Sequence, residues 1–320
     1  MVKPRANELT AVGTRSLFDA VPGGTDPEDV GRWHEFRRKY HQAARLEDVG
    51  GFPLQIDFEL NSTCQMKCAF CTHGQRKVAK KNLSFETFKR VIDEGAVHGL
   101  VSIKLNYINE PLLNKELPKY IEYARSRGVL NVYFATNGLL LTESMSRRLI
   151  EAKLSKVMIS LDAITSKTFE AMRGSKRFDE ITANICRLIG LREELGVDYP
   201  LVRVNFLETE INKHEASAFQ IMWTGIADMI GYQQQVNRPG TDDIHTEATE
   251  FGCAFPFKLV TVDSSGYILP CCTFSGREMP LGHVDDMSIA RAWSGMAALR
   301  RLHQLGNYQQ NEICKHCIGS

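Results

Sequence analysis

Three cysteines share one short stretch, Asn61-Ser-Thr-Cys-Gln-Met-Lys-Cys-Ala-Phe-Cys71, directly after an apolar segment. Cysteine thiolates are the usual ligands of iron–sulfur clusters, and a 4Fe–4S cluster has four irons to hold. Cys64, Cys68 and Cys71 would leave one iron open, and an open iron is a place for substrate or cofactor chemistry. A structural zinc site is the competing reading, but it wants four ligands, usually as two separated Cys/His pairs. His73, two residues beyond Cys71, would strain such a tetrahedron. A second set lies near the other end: Cys253, Gly266, Cys271 and Cys314-Lys-His-Cys317, spaced C-x12-G-x4-C before a final C-x2-C. Four thiolates satisfy one cluster completely, or one zinc ion. The chain holds nine cysteines, which leaves Cys186, on the apolar side of a helical segment, and Cys272, beside Cys271. No segment suggests export, so these thiols fit a reducing interior rather than disulfides.

The spacing C-x3-C-x2-C, with Phe70 directly before the third cysteine, resembles the signature of the radical S-adenosylmethionine (radical SAM) enzymes. The resemblance implies that the open iron chelates SAM, and that an electron from the cluster cleaves it to methionine and a 5′-deoxyadenosyl radical. It extends from about residue 54 to the C-terminus. Ile108, Asn109 and Glu110 stand in the three places of the family's Gly-Gly-Glu segment, which receives the SAM amino group through backbone carbonyls and the acid. Ala135-Thr-Asn-Gly138 and Ile159-Ser-Leu-Asp162 match further strand ends. By resemblance Ser160 and Asp162, which alternation puts on one side of a strand, contact the SAM ribose and carboxylate. Arg173, in Met172-Arg173-Gly174, pairs with the SAM carboxylate through its planar fork, or is a surface arginine at a helix end. The C-terminal set resembles the SPASM/twitch extension. The resemblance implies the shorter twitch form, with one auxiliary 4Fe–4S cluster on Cys253, Cys271, Cys314 and Cys317. The implied cofactors are two 4Fe–4S clusters and SAM, with an external electron donor of the flavodoxin or ferredoxin type.

Within the family the pattern resembles aminoglycoside-biosynthesis members, aminocyclitol dehydrogenases and aminoglycoside epimerases, which implies a small carbohydrate substrate. Two outcomes stay open. A carbon radical that loses a proton and an electron to the auxiliary cluster becomes a ketone; one that receives hydrogen from a thiol on the opposite face becomes an epimer. Cys272, not needed as a ligand, tips the reading toward epimerisation. Gln233 and Gln235, on one side of the last strand, suit hydroxyl- and amine-rich ligands. Arg238 is placed to orient a carbinol or assist its deprotonation. Peptide maturation, common among SPASM relatives, is the other enzyme class; residues 1–50 look too short and strand-poor for its usual peptide-binding module. An electron-transfer or zinc scaffold protein is the reading outside enzymology.

These residues need a frame to position them. From residue 54 onward, short apolar segments at 54–60, 101–107, 131–136, 156–161, 201–207 and 227–233 alternate with amphipathic ones at 84–98, 115–127, 142–152, 178–195 and 214–222. Such β/α repetition predicts a parallel sheet covered by helices. The resemblance selects a partial (β/α)6 barrel, with chemistry at the carboxyl ends of the strands. Residues 260–269, with a turn at Asp263-Ser-Ser-Gly266, predict a hairpin, and 288–305 a helix, together forming the small twitch domain. The expected division is 1–50, an extension packed on the outside; 51–235, the barrel; and 236–320, the auxiliary-cluster domain. A formal charge of +1 on 320 residues gives nucleic acid no bulk attraction. No apolar run approaches the roughly 20 residues of a membrane span, and the first residues lack a signal-peptide core, so a cytoplasmic protein is expected.

Overall fold

The computed structural model describes residues 3–4, 10–13, 22, 26–75, 80–234 and 251–318. Six parallel strands form its centre: β3 (Gln55–Phe58), β4 (Ser102–Lys104), β5 (Asn131–Thr136), β6 (Lys156–Ser160), β7 (Leu201–Glu208) and β8 (Met229–Gln234), each paired with the next. The sheet continues at both edges. On the β8 side β2 (Thr10–Gly13) runs antiparallel; on the β3 side β10 (Leu259–Val262) runs parallel, followed by antiparallel β11 (Tyr267–Leu269) and β12 (Gly282–His283). A separate two-stranded pairing joins β1 (Lys3–Pro4) to β9 (Phe251–Gly252). The six β/α units expected of the partial barrel are therefore present, and their sheet carries straight on into the C-terminal hairpin.

The helices lie where the amphipathic segments predict them. Ser84 and Thr142 cap α2 (Phe85–Val97) and α4 (Glu143–Glu151) by accepting the amides of Thr87 and Met145. α3 (Leu117–Ser126), α6 (Phe178–Glu194) and α7 (Ala216–Trp223) fill the other crossovers. One helix was not foreseen: α5 (Ser166–Arg173), capped by Thr165 and stopped at Gly174, whose φ is +63°. The helix expected over 288–305 is two, α8 (Ile289–Gly295) and α9 (Ala297–Gln304). They part at Met296, where Arg300 Nη2 donates to the Trp293 carbonyl and takes over the end of the first.

Alternation along the strands sorts the core from the barrel interior. Ile56, Phe58, Val157, Ile159, Val202, Val204 and Phe206 are fully buried under the helices. The opposite face is polar. Gln55 accepts from Ser102 Oγ (3.1 Å) and Tyr133 Oη (3.0 Å) and donates to Asp57 Oδ1 (2.6 Å), while Lys104 Nζ stands 3.7 Å from Asp57 Oδ2. Register then runs across this face from Asp57 through Lys104 and Tyr133 to Lys156.

α1 (Pro27–Ala44) lies across the amino ends of these strands. Its Trp33, Phe36 and Tyr40 share a cavity of about 70 Å³ with Gln55, Asn131 and Lys156, at the starts of β3, β5 and β6. Arg32 Nη2 donates to Gly128 O (2.8 Å), and Lys258 Nζ sits 4.3 Å from the centre of the Tyr40 ring. No helix among the described residues is long and apolar enough to cross a membrane.

Lys156 lies over the Tyr133 ring, 4.2 Å from its centre. Burial first, then Arg203, Arg37 and Lys104, lower its pKa to about 7. An amine whose folded pKa lies below its unfolded value costs stability fully below the folded pKa, and the cost fades toward the ordinary lysine range. Lys156→Met should therefore stabilise the protein most at pH 6, with the advantage shrinking by pH 9.5 in urea denaturation. A pH-independent advantage would contradict this.

Candidate active site

The cysteine loop leaves the carboxyl end of β3 and is held from two sides. On one side stands Glu110, 2% exposed. Its Oε1 accepts from Thr136 Oγ1 (2.7 Å) and Leu112 N (3.0 Å), and its Oε2 from Asn137 N (2.9 Å). Its backbone amide donates to Thr63 O (2.8 Å), and its carbonyl accepts from Asn61 Nδ2 (3.0 Å). Asn61 Oδ1 in turn accepts the Thr63 amide and hydroxyl, both at 3.0 Å. One residue thus ties the loops after β3, β4 and β5 together. Burial raises the Glu110 pKa to about 7, against the three hydrogen bonds that favour the carboxylate.

On the other side stands the end of α5. Met172 O accepts from Ala69 N (3.1 Å), and a Cβ on Gly174 would meet Lys67 O at 2.6 Å. Arg173 pairs with Asp162, donates toward Cys68 Sγ (3.6 Å), and lies 5.1 Å from the centre of the Phe70 ring. Asp162, with φ +61°, also accepts from Leu207 N (2.7 Å). Arg173, Asp162 and Phe70 are brought together with the cysteine loop. Ser160, at the end of β6, and Asn109, in the loop after β4, are part-exposed, and the Asn109 and Asn137 side-chain NH2 groups are buried without acceptors. Cys64 and His73 line a cleft of about 660 Å³, and the His73 ring faces Ser62 O (3.2 Å) rather than the thiols.

The second set converges too. Cys253, Cys271, Cys314 and Cys317 line one small cavity with Phe255, Leu299 and Ile313, and Thr273 and His303 complete its wall. A Cβ on Gly276 would approach Cys271 Sγ to 2.7 Å, so glycine is what leaves room for that thiol. Burial pushes Cys314 up to about 12, and Cys271 and Cys317 add to it. Four thiolates so placed need a cationic centre to deprotonate. Among the described residues no three His, Cys, Asp or Glu side chains are set to grip a single ion. Four thiols on one cavity suit an iron–sulfur cluster or a zinc ion. At the first set, three part-exposed thiols beside unpartnered amide donors suit a cluster with an open iron and a polar ligand over it.

Cys272 does not line the four-cysteine cavity. It lies within electrostatic reach of Asp57 and Lys104 on the polar face of the barrel, and burial followed by the Asp57 charge pushes its thiol up. Thr261 Oγ1 fixes this stretch by donating to Cys271 O (3.0 Å), and Tyr107 Oη donates to Thr273 O. Gln233 is exposed at the end of β8; Gln235 and Arg238 lie outside the described residues. Sequence reading passed over Asp57, Lys104, Lys156, Arg203 and Gly276. Charged residues inside otherwise apolar strands were the available signal for the first four.

Glu110→Gln would set an amide NH2 against a backbone N–H or the Thr136 hydroxyl. The expected loss is about 2 kcal/mol of stability by urea denaturation, with about half of the iron lost on anaerobic reconstitution and the C-terminal cluster retained.

The radical SAM superfamily profile matches residues 58–199, and that of an iron–sulfur cluster-binding domain, SPASM, matches 253–318. A probable GTP 3′,8-cyclase of Metallosphaera sedula is 30% identical over 171 residues, 53% of this chain and 51% of that protein. The chain thus spans about half the length of the curated relatives it matches. Among solved structures, BtrN in complex with AdoMet and 2-DOIA superposes with a TM-score of 0.55 at 19% identity, covering 82% of this chain and 92% of that one. Streptococcus suis SuiB bound to S-adenosylmethionine gives 0.57 at 15%, covering 84% and 72%. These two likenesses are of fold. The frame, the two cysteine sets and the family matches agree: the chain carries a radical SAM domain, with its 4Fe–4S cluster and SAM, followed by a SPASM iron–sulfur domain.

Proposed function

We propose that this protein abstracts a hydrogen atom from a ring carbon of a small carbohydrate and returns hydrogen to the opposite face, inverting that carbon. The ring is a sugar or aminocyclitol of the kind found in aminoglycoside-type molecules and their precursors. The observation that carries the reading is the position of Cys272, outside the lining of the four-cysteine cavity and within electrostatic reach of Asp57 and Lys104. When bound, the cluster and SAM supply a 5′-deoxyadenosyl radical that removes the first hydrogen. Glu110, Asp162, Arg173 and Phe70 hold the loop and its neighbours in place. Asn109, Ser160 and the Asn137 amide offer polar contacts to SAM, and Gln233, exposed at the end of β8, is offered to the substrate. Cys272 breaks its S–H bond as the new C–H bond forms. The thiyl radical left behind regains one electron and one proton, the electron from an external flavodoxin- or ferredoxin-type donor.

Asp57 favours a second reading, dehydrogenation. Its carboxylate, within electrostatic reach of Cys272, would take the carbinol proton while the electron leaves toward the four-cysteine cavity, giving a ketone. Peptide modification is a third reading, supported by the similar fold of SuiB, solved bound to precursor peptide SuiA.

Anaerobic turnover in D2O separates these. With sugar and aminocyclitol substrates, epimerisation gives one deuterium at unchanged oxidation level, and Cys272→Ala abolishes product while 5′-deoxyadenosine still forms. A product lighter by two hydrogens would establish dehydrogenation. Turnover of peptides and no carbohydrate would establish the third reading.

A further inference from the structure

Two cations on the polar face of the barrel lack counter-charges. Arg203, on β7, is 5% exposed, and its Nε and Nη2 find no acceptor. Its guanidinium is packed over β8: a Cβ on Gly231 would lie 1.9 Å from Nη2, so only glycine admits it there. Lys156, on β6, stands over the Tyr133 ring and is repelled by Arg203. Among the described residues no carboxylate answers either one. Asp57, the acid of this face, is engaged by Gln55 and Lys104.

Burying an uncompensated guanidinium costs several kcal/mol, so such a group persists where a ligand completes it. Both cations belong to the barrel face of Asp57 and Lys104, within whose electrostatic reach Cys272 lies. Register places Lys156 in the row of Asp57, Lys104 and Tyr133, and Arg203 pairs with Met158, two residues above Lys156. The planar fork of arginine matches carboxylate or phosphate oxygens in a bidentate way.

We infer that the substrate carries an anionic group, a phosphate or a carboxylate, which seats between Arg203 and Lys156 inside the barrel. The inference rests on the reading of this barrel as the chamber of a carbohydrate substrate, and narrows it to acidic sugars: a sugar phosphate or a uronic acid. An amine-rich ring without an acid would bring further positive charge to Arg203, which has no counter-charge among the described residues, and is disfavoured.

Binding tests this without turnover. The full chain, reconstituted anaerobically, is titrated with inorganic phosphate, glucose, glucose 6-phosphate, glucosamine 6-phosphate, glucuronate and an amine-only aminocyclitol, followed by calorimetry and thermal melting. Expected are binding and a raised Tm with phosphate and with at least one acidic sugar, and neither with glucose nor with the amine. Arg203→Gln and Lys156→Gln should each weaken anion binding by about tenfold or more, the scale of one charge-assisted contact. Gly231→Ala, which keeps every charge and displaces the guanidinium, should do the same. Iron content and circular dichroism identify any variant that fails to fold, and Arg203→Lys then takes the place of Arg203→Gln, with partial retention expected. Phosphate binding that no acidic sugar displaces would make this a free-ion site and overturn the inference. Anion binding indifferent to Arg203, or no anion binding, would overturn it as well. Because the readout is affinity, these failures leave the epimerisation reading standing, and a failed D2O assay leaves the anion result standing.

Discussion

One buried carboxylate holds the catalytic end of the barrel together. Among the described residues Glu110 has no basic partner close enough for a salt bridge; it is satisfied by two backbone amides and a hydroxyl from loops that follow different strands. A charge in that position imposes geometry, because each donor it recruits must come to it or leave it unsolvated. The cysteine loop carries little apolar surface of its own. It is positioned through Asn61 and Thr63, which bond to the backbone of Glu110, and through the Met172–Gly174 corner pressing from the other side. The thiols therefore inherit their placement from the sheet.

The C-terminal domain is joined to that same sheet rather than hung from a linker. β10 pairs along the whole of β3, the strand that launches the cysteine loop. Glu59, at the end of β3, accepts from Ser264 Oγ (2.7 Å), and Arg277 bridges it to Asp263. The hairpin that carries Cys271 and Cys272 is thus a continuation of the barrel wall. The separation between the two cysteine sets is set by strand register, which does not stretch.

What the sequence revealed follows from which constraints are local. The cysteine sets were legible because cluster ligation demands short, fixed spacings. The strand at 131–136 coincides with β5, and the other strands and the capped helices fall within a few residues of their predicted limits. α5 was hidden because eight residues of mixed polarity between a strand end and a glycine read equally as loop. The β10–β3 pairing joins positions about 200 residues apart, and no local pattern encodes it. Lys156 and Arg203 read as solvent-facing members of their strands under simple alternation. Only curling of the sheet turns that face inward, and with it a polar residue changes from surface to interior.

α1 packs across the amino ends of the strands, and its Trp33, Phe36 and Tyr40 face the cavity that Lys156 lines. Lys156 opens β6, whereas the cysteine loop follows the carboxyl end of β3, so the two lie toward opposite ends of the strands. A ligand that engages both must span the depth of the sheet. Reach then becomes a measure of fit, and a molecule too short to touch both ends is held by one of them alone.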